Sequence, residues 1–274
     1  QDTAPNGNTA NSDFHPKTSS GFDTIFISPS EAPVKRGKFT DKKSPVDITK
    51  NMQTLMHDLK NPLSIIYGSA SLLKQQPDMP DDHRNEAVDS ILESVQDMRR
   101  LISSWLNVSK LEAGQKLTLQ SVSFFDFIRR CVDSFDMLAE SQELTLIFDT
   151  VGDDVMIECD HDRMIQAINN LISNAIKYTP SGGKIMVKAY ARSSHVMLYV
   201  ADTGIGISEE TLPHIFDRFY RASSVTKRGI DGTGLGLAIC KAIVDRHHGH
   251  INVSSRMGLG TKFTVMLPHQ QPDE

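Results

Sequence analysis

In the run Asn170-Leu171-Ile172-Ser173-Asn174-Ala175-Ile176-Lys177-Tyr178, the residues Asn170, Asn174 and Lys177 stand at steps of four and three. On a helix they would place two amides and an ammonium on one face. An amide oxygen is a hard ligand suited to Mg²⁺ and a lysine suits phosphate; a solvated polar face would show the same spacing. A second segment, Asp202-Thr203-Gly204-Ile205-Gly206, follows the strand-like run Val196 to Ala201. A carboxylate at a strand end can accept a hydrogen bond from an exocyclic amine such as that of adenine, and the glycines would let a flat ring approach the backbone. A third, Gly232-Thr233-Gly234-Leu235-Gly236-Leu237, opens a helical pattern, where unpaired N–H groups and the helix dipole favour a phosphate. Taken singly, DxGxG and GxGxG are weak, and tight turns account for them as well.

Between the two glycine runs lies Phe216-Asp217-Arg218-Phe219-Tyr220-Arg221, followed by the polar stretch Ala222 to Asp231. A cover over a nucleotide would have this form, with Phe216 and Phe219 anchoring its hinge and Arg221 reaching a phosphate. So would a surface loop. Far upstream, Met56-His57-Asp58-Leu59-Lys60-Asn61-Pro62-Leu63 sits inside a helical pattern, where a proline removes one hydrogen bond and bends the axis. An imidazole whose pKa is about 6.5 is mostly neutral at pH 7 and offers a lone pair to an electrophile. Asp58 could hold the other ring N–H and stabilise the charge that develops on attack. A lone histidine in a helix is ordinarily structural.

These residues need elements to position them. Ile48, Met52, Leu55, Leu59, Ile66, Leu72 and Leu73 keep mostly three- and four-residue steps, which predicts a helix from Val46. Pro77 to Asp82 holds two prolines and three acids, a turn followed by an acid-rich helix start. A second stripe, through Val88, Ile91, Val95, Met98, Ile102, Trp105, Val108 and Leu111, ends at Gly114. The two helices form a hairpin whose apolar stripes need partners, so two copies packed into a four-helix bundle are expected, with a monomer as the alternative.

Beyond Gly114 the pattern is mixed: an amphipathic helix over Ser123–Gln142, strands over Leu144–Asp149 and Val155–Cys159, and a helix to Tyr178 with Asp160 as N-cap. Strands over Lys184–Ala191 and His195–Ala201, a helix over Gly234–His248, and strands over His250–Ser254 and Thr261–Leu267 follow. Without a regular βαβ repeat, this predicts an α+β sandwich with helices on one face of a sheet.

Bulk properties narrow the function classes. The chain has 274 residues, 39% of them hydrophobic, and a formal charge of −5, so no broad basic field exists for nucleic acid. Cys131, Cys159 and Cys240 lie far apart without metal-ligand spacing and read as reduced, buried thiols in a cytoplasmic setting. His247, His248 and His250 fit no usual metal site and are expected to cap a helix or lie at the surface. Residues 1–45 are rich in polar residues and proline and read as linker. No run is long and apolar enough for a membrane span. Because the chain opens at Gln1, it is expected to be part of a longer protein whose upstream sensor region, membrane-anchored or not, is not in this sequence.

The order asparagine helix, DxGxG, FxxF and GxGxG, closed by Gly258-Leu259-Gly260-Thr261 before a final strand, raises the weight of each weak signal. Residues 120–268 resemble the ATP-binding domain of the histidine kinase, gyrase, Hsp90 and MutL superfamily, with the N, G1, F, G2 and G3 boxes in order. The segment around His57 resembles the H-box of the histidine kinases almost letter for letter.

The resemblance implies a dimeric hairpin over 46–114, a hinge over 115–120, an ATP-binding sandwich over 120–268 and a tail over 269–274. It implies ATP and Mg²⁺, with Asn174 as metal ligand, Asp202 reading adenine, Lys177 and Arg221 as phosphate contacts, and Asn170 and Tyr178 also at the nucleotide. Gly204, Gly206, Gly232, Thr233, Gly234, Leu235, Gly236, Leu237 and Thr261 complete the nucleotide site. His57 is then the phosphorylated residue, Asp58 its partner, and the acceptor an aspartate of a separate response-regulator receiver domain. Asn61, where many members carry threonine, implies possible phosphatase activity, and a bend at Pro62 implies regulation through the bundle. The alternative is an ATP-gated interaction module, a degenerate kinase signalling by conformation.

Overall fold

The computed structural model describes residues 45–112, 116–222 and 233–271, and leaves outside it the side chains of 45–55, 57, 58, 104, 107, 108 and 110–112. The linker, Gly114, Gly232 and the end of the tail therefore lie outside the described residues, as do the side chains of His57 and Asp58.

Helix α1 (Pro45–Gln75) and helix α2 (Asp81–Glu112) run antiparallel as a hairpin. The turn between them is pinned by Arg84, whose guanidinium donates to Asp81 Oδ1 at 2.8 Å and to the Pro77 carbonyl at 2.9 Å, over a buried Met79. Asp81 and Asp82 occupy the first turn of α2, where negative charge complements the helix dipole. Ala87, Ser94 and Leu101 are buried at steps of seven along α2, the spacing of one helix face. A second apolar set, including Leu63, Tyr67, Leu72, Leu92 and Val95, is exposed within this single chain.

Helix α1 runs unbroken through Pro62. Because Pro62 has no N–H, the carbonyl of Asp58 lacks its helical donor at the turn that follows His57.

The remainder is a sandwich. Strand β1 (Leu119–Ser123) pairs antiparallel with β3 (Met156–Asp160) in a small two-stranded sheet. The main sheet has five strands: β2 (Thr145–Val151), β4 (Lys184–Ala191), β5 (His195–Asp202), β6 (His250–Arg256) and β7 (Gly260–Pro268), in the order β2-β4-β5-β7-β6. Only β2–β4 is parallel. The helices are α3 (Phe124–Asp133), α4 (Asp136–Ser141), α5 (His161–Tyr178) and α6 (Gly236–Arg246).

Alternation on β4 turns Ile185, Val187 and Ala189 inward, where they join Phe124, Ile128, Leu171, Ile172 and Ile243 from the helices. Asp160 ends β3 and caps α5: Oδ1 accepts the Arg163 N–H at 3.3 Å, and Oδ2 accepts the Thr118 N–H at 3.0 Å.

Three local expectations need correction. Ser123–Gln142 is two helices, broken at Ser134–Phe135, where the Phe135 N–H turns back to the Val132 carbonyl at 2.8 Å. Leu138, on α4, is exposed. Strand β1 was not foreseen, and it takes Leu119 and Gln120 of the expected hinge into the sheet, opposite Asp160 and Cys159. The helix expected from Gly234 starts at Gly236, because Gly234 has a φ of +67°, outside helical geometry.

The two parts touch. Helix α6 packs against α2, and Leu59 and Trp105 from the hairpin rest against the sandwich core.

Candidate nucleotide site

A cavity of about 530 Å³ opens between α5, the end of β5, the start of α6 and the loop after β6. Its volume suits a mid-sized ligand. The α5 helix presents Asn170, Asn174, Lys177 and Tyr178 along one wall, as the four-and-three spacing predicts. Asn170 also has a structural duty: its Nδ2 donates to the Gly236 carbonyl at 3.1 Å, tying α5 to the first residue of α6. The ammonium of Lys177 stands 5.5 Å from the Tyr178 ring centroid.

Asp202 closes β5 at the back of the cavity and is 6% exposed. Its Oδ1 accepts the Gly204 N–H at 2.8 Å and the Thr261 N–H at 3.2 Å, so the carboxylate is clamped between the G1 loop and β7. Among the described residues no partner engages Oδ2. Burial pushes the carboxyl up to about 6, against the two N–H bonds that pull it down. Gly206 lines the cavity with φ at +70°, and a Cβ there would stand 2.1 Å from the Arg256 carbonyl oxygen, so the turn admits only glycine.

The α6 end of the cavity is built by backbone. Thr233, Gly234, Gly236 and Leu237 line the wall, and the first N–H groups of α6 have no helical partner. Thr233 Oγ1 accepts the Leu235 N–H at 3.3 Å. Leu235 is fully buried and anchors the loop rather than lining the cavity. Phe219 has φ at +61°, donates its N–H to the Gly234 carbonyl at 2.9 Å, and is buried in the core. A Cβ on Gly234 would come within 2.7 Å of the Phe219 carbonyl carbon. The FxxF and GxGxG segments thus meet backbone to backbone.

Gly204 and Phe216 also stand behind the wall; Phe216 meets Phe263, itself a wall residue, edge-on at 6.4 Å between centroids. Burial raises the phenol pKa of Tyr178, and Arg221, which also lines the cavity, pulls it part of the way back. Thr261 lines the cavity beside Asp202.

Several wall residues went unread in the sequence. Gln166 stands one turn before Asn170 on the same face, a step that the four-residue spacing could have supplied. Ile205, Ile207, Ile215 and Met257 give the apolar part of the wall, a feature that a base ring can use. Arg100 and Ser103 come from α2, in the other half of the fold, and nothing local marked them. Of the described wall residues only Asp202 is acidic, whereas Arg100, Lys177 and Arg221 are cationic.

Away from the cavity, His247 stands at the C-cap of α6, as the capping expectation has it, but is fully buried and not at the surface. Burial lowers its pKa, and its two ring nitrogens are both engaged. The three cysteines are buried, with thiols pushed up to about 11 for Cys131 and about 12 for Cys159 and Cys240, so they are poor nucleophiles. On the hairpin, Asn61 is exposed and Pro62 half-buried, one helical turn beyond His57.

A helical hairpin joined to an α+β sandwich with a positively charged, asparagine- and glycine-walled cavity defines a nucleotide-binding signalling architecture. Residues 159–271 match the family of histidine kinase-, DNA gyrase B- and HSP90-like ATPases, and residues 49–114 match the His Kinase A phospho-acceptor domain. Sensor protein SrrB of Staphylococcus aureus is 33% identical over 213 residues, covering 77% of this chain and 36% of that protein. Among solved structures, Acinetobacter baumannii histidine kinase AdeS aligns with a TM-score of 0.63 at 25% identity, over 78% of this chain and 98% of that one. Histidine kinase ThkA in complex with response regulator protein TrrA aligns with a TM-score of 0.66 at 25% identity, over 82% and 62%. The chain belongs to the sensor histidine kinases. It spans about a third of the length of the curated relatives that it matches.

Among the described residues, no helix is long and apolar enough to cross a membrane.

Proposed function

We propose that the chain binds ATP with Mg²⁺, transfers the terminal phosphoryl group to His57 and passes it to an aspartate of a separate response regulator. The observation that carries this reading is the docking of a cationic nucleotide cavity onto the same hairpin that bears the His57-Asp58 pair.

In this reading Asp202 accepts the adenine amine through Oδ2, and the apolar wall of Ile207 and Met257 sandwiches the ring. Lys177, Arg221 and the first N–H groups of α6 hold the phosphates. Asn174 offers one amide oxygen at the cavity wall, and no cluster of three acidic, histidine or cysteine side chains exists among the described residues. Such a donor set fits a Mg²⁺ that arrives with the triphosphate and keeps most of its water. The ion would neutralise charge on the transferring group. Asp58 orients the neutral imidazole of His57, whose nitrogen attacks the terminal phosphorus as the bond to ADP breaks.

The remaining assignments rest on the same reading. The hairpin over 46–114 dimerises through its exposed apolar set, the sandwich over 120–268 binds nucleotide, and Asn61, one turn beyond His57, positions a water for the reverse reaction on the regulator. The complex of ThkA with TrrA supports a response regulator as the partner of this chain.

The test is labelling of the purified chain with γ-labelled ATP and Mg²⁺, beside His57→Gln and Asn174→Ala. Acid-labile, alkali-stable label that both variants lose is the expected result. Nucleotide binding without label in the wild type would instead mark an ATP-gated module.

A further inference from the structure

Arg100 belongs to the hairpin, yet it lines the cavity of the other domain. It reaches there because α6 packs against α2 while Trp105, further along α2, rests on the sandwich core. Its guanidinium is 68% exposed and paired with Asp97 at 3.3 Å, one turn earlier on the same helix. An exposed pair of this kind contributes little by itself and is readily exchanged for a better anion.

The height of Arg100 on the hairpin matters as much. His57 lies 18 residues before the end of α1 at Gln75, and Arg100 lies 19 residues after the start of α2 at Asp81. At about 1.5 Å of rise per residue, each stands about 27 to 29 Å from the turn. In an antiparallel hairpin the two positions are level, so the cavity opens onto the hairpin at the height of the phosphoacceptor position.

We infer that Arg100 binds the terminal phosphate of the bound nucleoside triphosphate, completing the site from the hairpin so that ATP, and not ADP, holds the two domains together at the level of His57. This rests on the ATP-binding reading above and goes beyond it by giving the hairpin a nucleotide contact of its own. A guanidinium fork suits this task because it can give two parallel N–H bonds to phosphate oxygens. Loss of the terminal phosphate on transfer would release the contact.

The decisive experiment compares wild type, Arg100→Gln and Arg100→Lys in calorimetric binding of a non-hydrolysable ATP analogue and of ADP, with His57 labelling measured in parallel. The expected result is about a tenfold or greater loss of analogue affinity in R100Q, unchanged ADP affinity and partial recovery in R100K. Equal losses for both nucleotides, or none for either, would overturn the inference. Wild-type labelling without analogue discrimination in R100Q sinks Arg100 and leaves the kinase reading standing. Discrimination by an unlabelled wild type sinks the kinase reading and leaves Arg100 standing.

Discussion

The Nε2 of His247 accepts the backbone N–H of Asp160 at 2.9 Å, joining the end of α6 to the start of α5 across 87 residues. With Nε2 accepting, the proton sits on Nδ1, which donates to the Ile243 carbonyl at 2.7 Å. The buried ring therefore works only when neutral.

Replacing His247 with alanine is expected to cost about 2–4 kcal/mol, from the cavity and from the orphaned N–H of Asp160. The pH response has a definite sign. Burial lowers the folded-state pKa below the ordinary value of about 6.5, so the unfolded chain binds the proton first and this contribution is lost as pH falls through that value. Urea denaturation at pH 7.5 and 5.5 should show a smaller pH dependence in H247A than in wild type.

Asp202 carries the opposite sign. Its folded-state pKa of about 6 stands above the ordinary carboxylate value, so the folded chain takes up the proton first and the buried charge costs stability at pH 7. Asp202→Asn should raise the melting temperature, since its Oδ1 can still accept from Gly204 and Thr261. The same change should weaken ATP binding about tenfold or more, because an amide nitrogen facing the adenine amine sets donor against donor. Wild-type affinity should itself decline as pH drops below about 6. A lowered melting temperature with intact affinity in D202N would assign the carboxylate to the fold alone.

Gly234→Ala combines a φ of +67° with a Cβ 2.7 Å from the Phe219 backbone. The left-handed conformation alone costs about 1–2 kcal/mol, and the contact adds to it. Nucleotide affinity should collapse while the helical signal of the hairpin persists, which calorimetry and circular dichroism together would resolve.

Pro62→Ala restores a donor to the Asp58 carbonyl in mid-helix, where a proline costs about 3 kcal/mol. With that hydrogen bond restored, α1 is stiffer, and the ratio of His57 labelling to regulator dephosphorylation should change. Unchanged rates of both in P62A would remove Pro62 as a regulatory element.

Much of the sandwich is readable because each of its elements declares itself locally. Lys184–Ala191 alternates with the period of a strand, and Asp160 sits before an apolar helical stripe as a cap should. The failures share a cause, dependence on partners distant in the chain. Leu119–Ser123 carries one strong strand former and becomes β1 only because β3 lies opposite. The break at Ser134 has no glycine or proline to announce it. In the site, Asn174, Lys177 and Asp202 follow from spacing, whereas Arg100 reaches the cavity only through the packing of two domains. The capping place of His247 was legible at the helix end, but its burial was not, because burial of an imidazole leaves no mark on its neighbours in sequence.

Asp202 and Thr261 face each other in the β5–β7 register, although 58 residues separate them in the chain. Gly260, at φ +119°, lets the returning chain pass so near that a Cβ there would meet the Asp202 carbonyl oxygen at 1.9 Å. Those residues carry the FxxF segment, the second glycine run, α6 and β6, so a base seated at Asp202 rests where the two ends of that long segment are stitched together, and one small molecule bears on both ends at once.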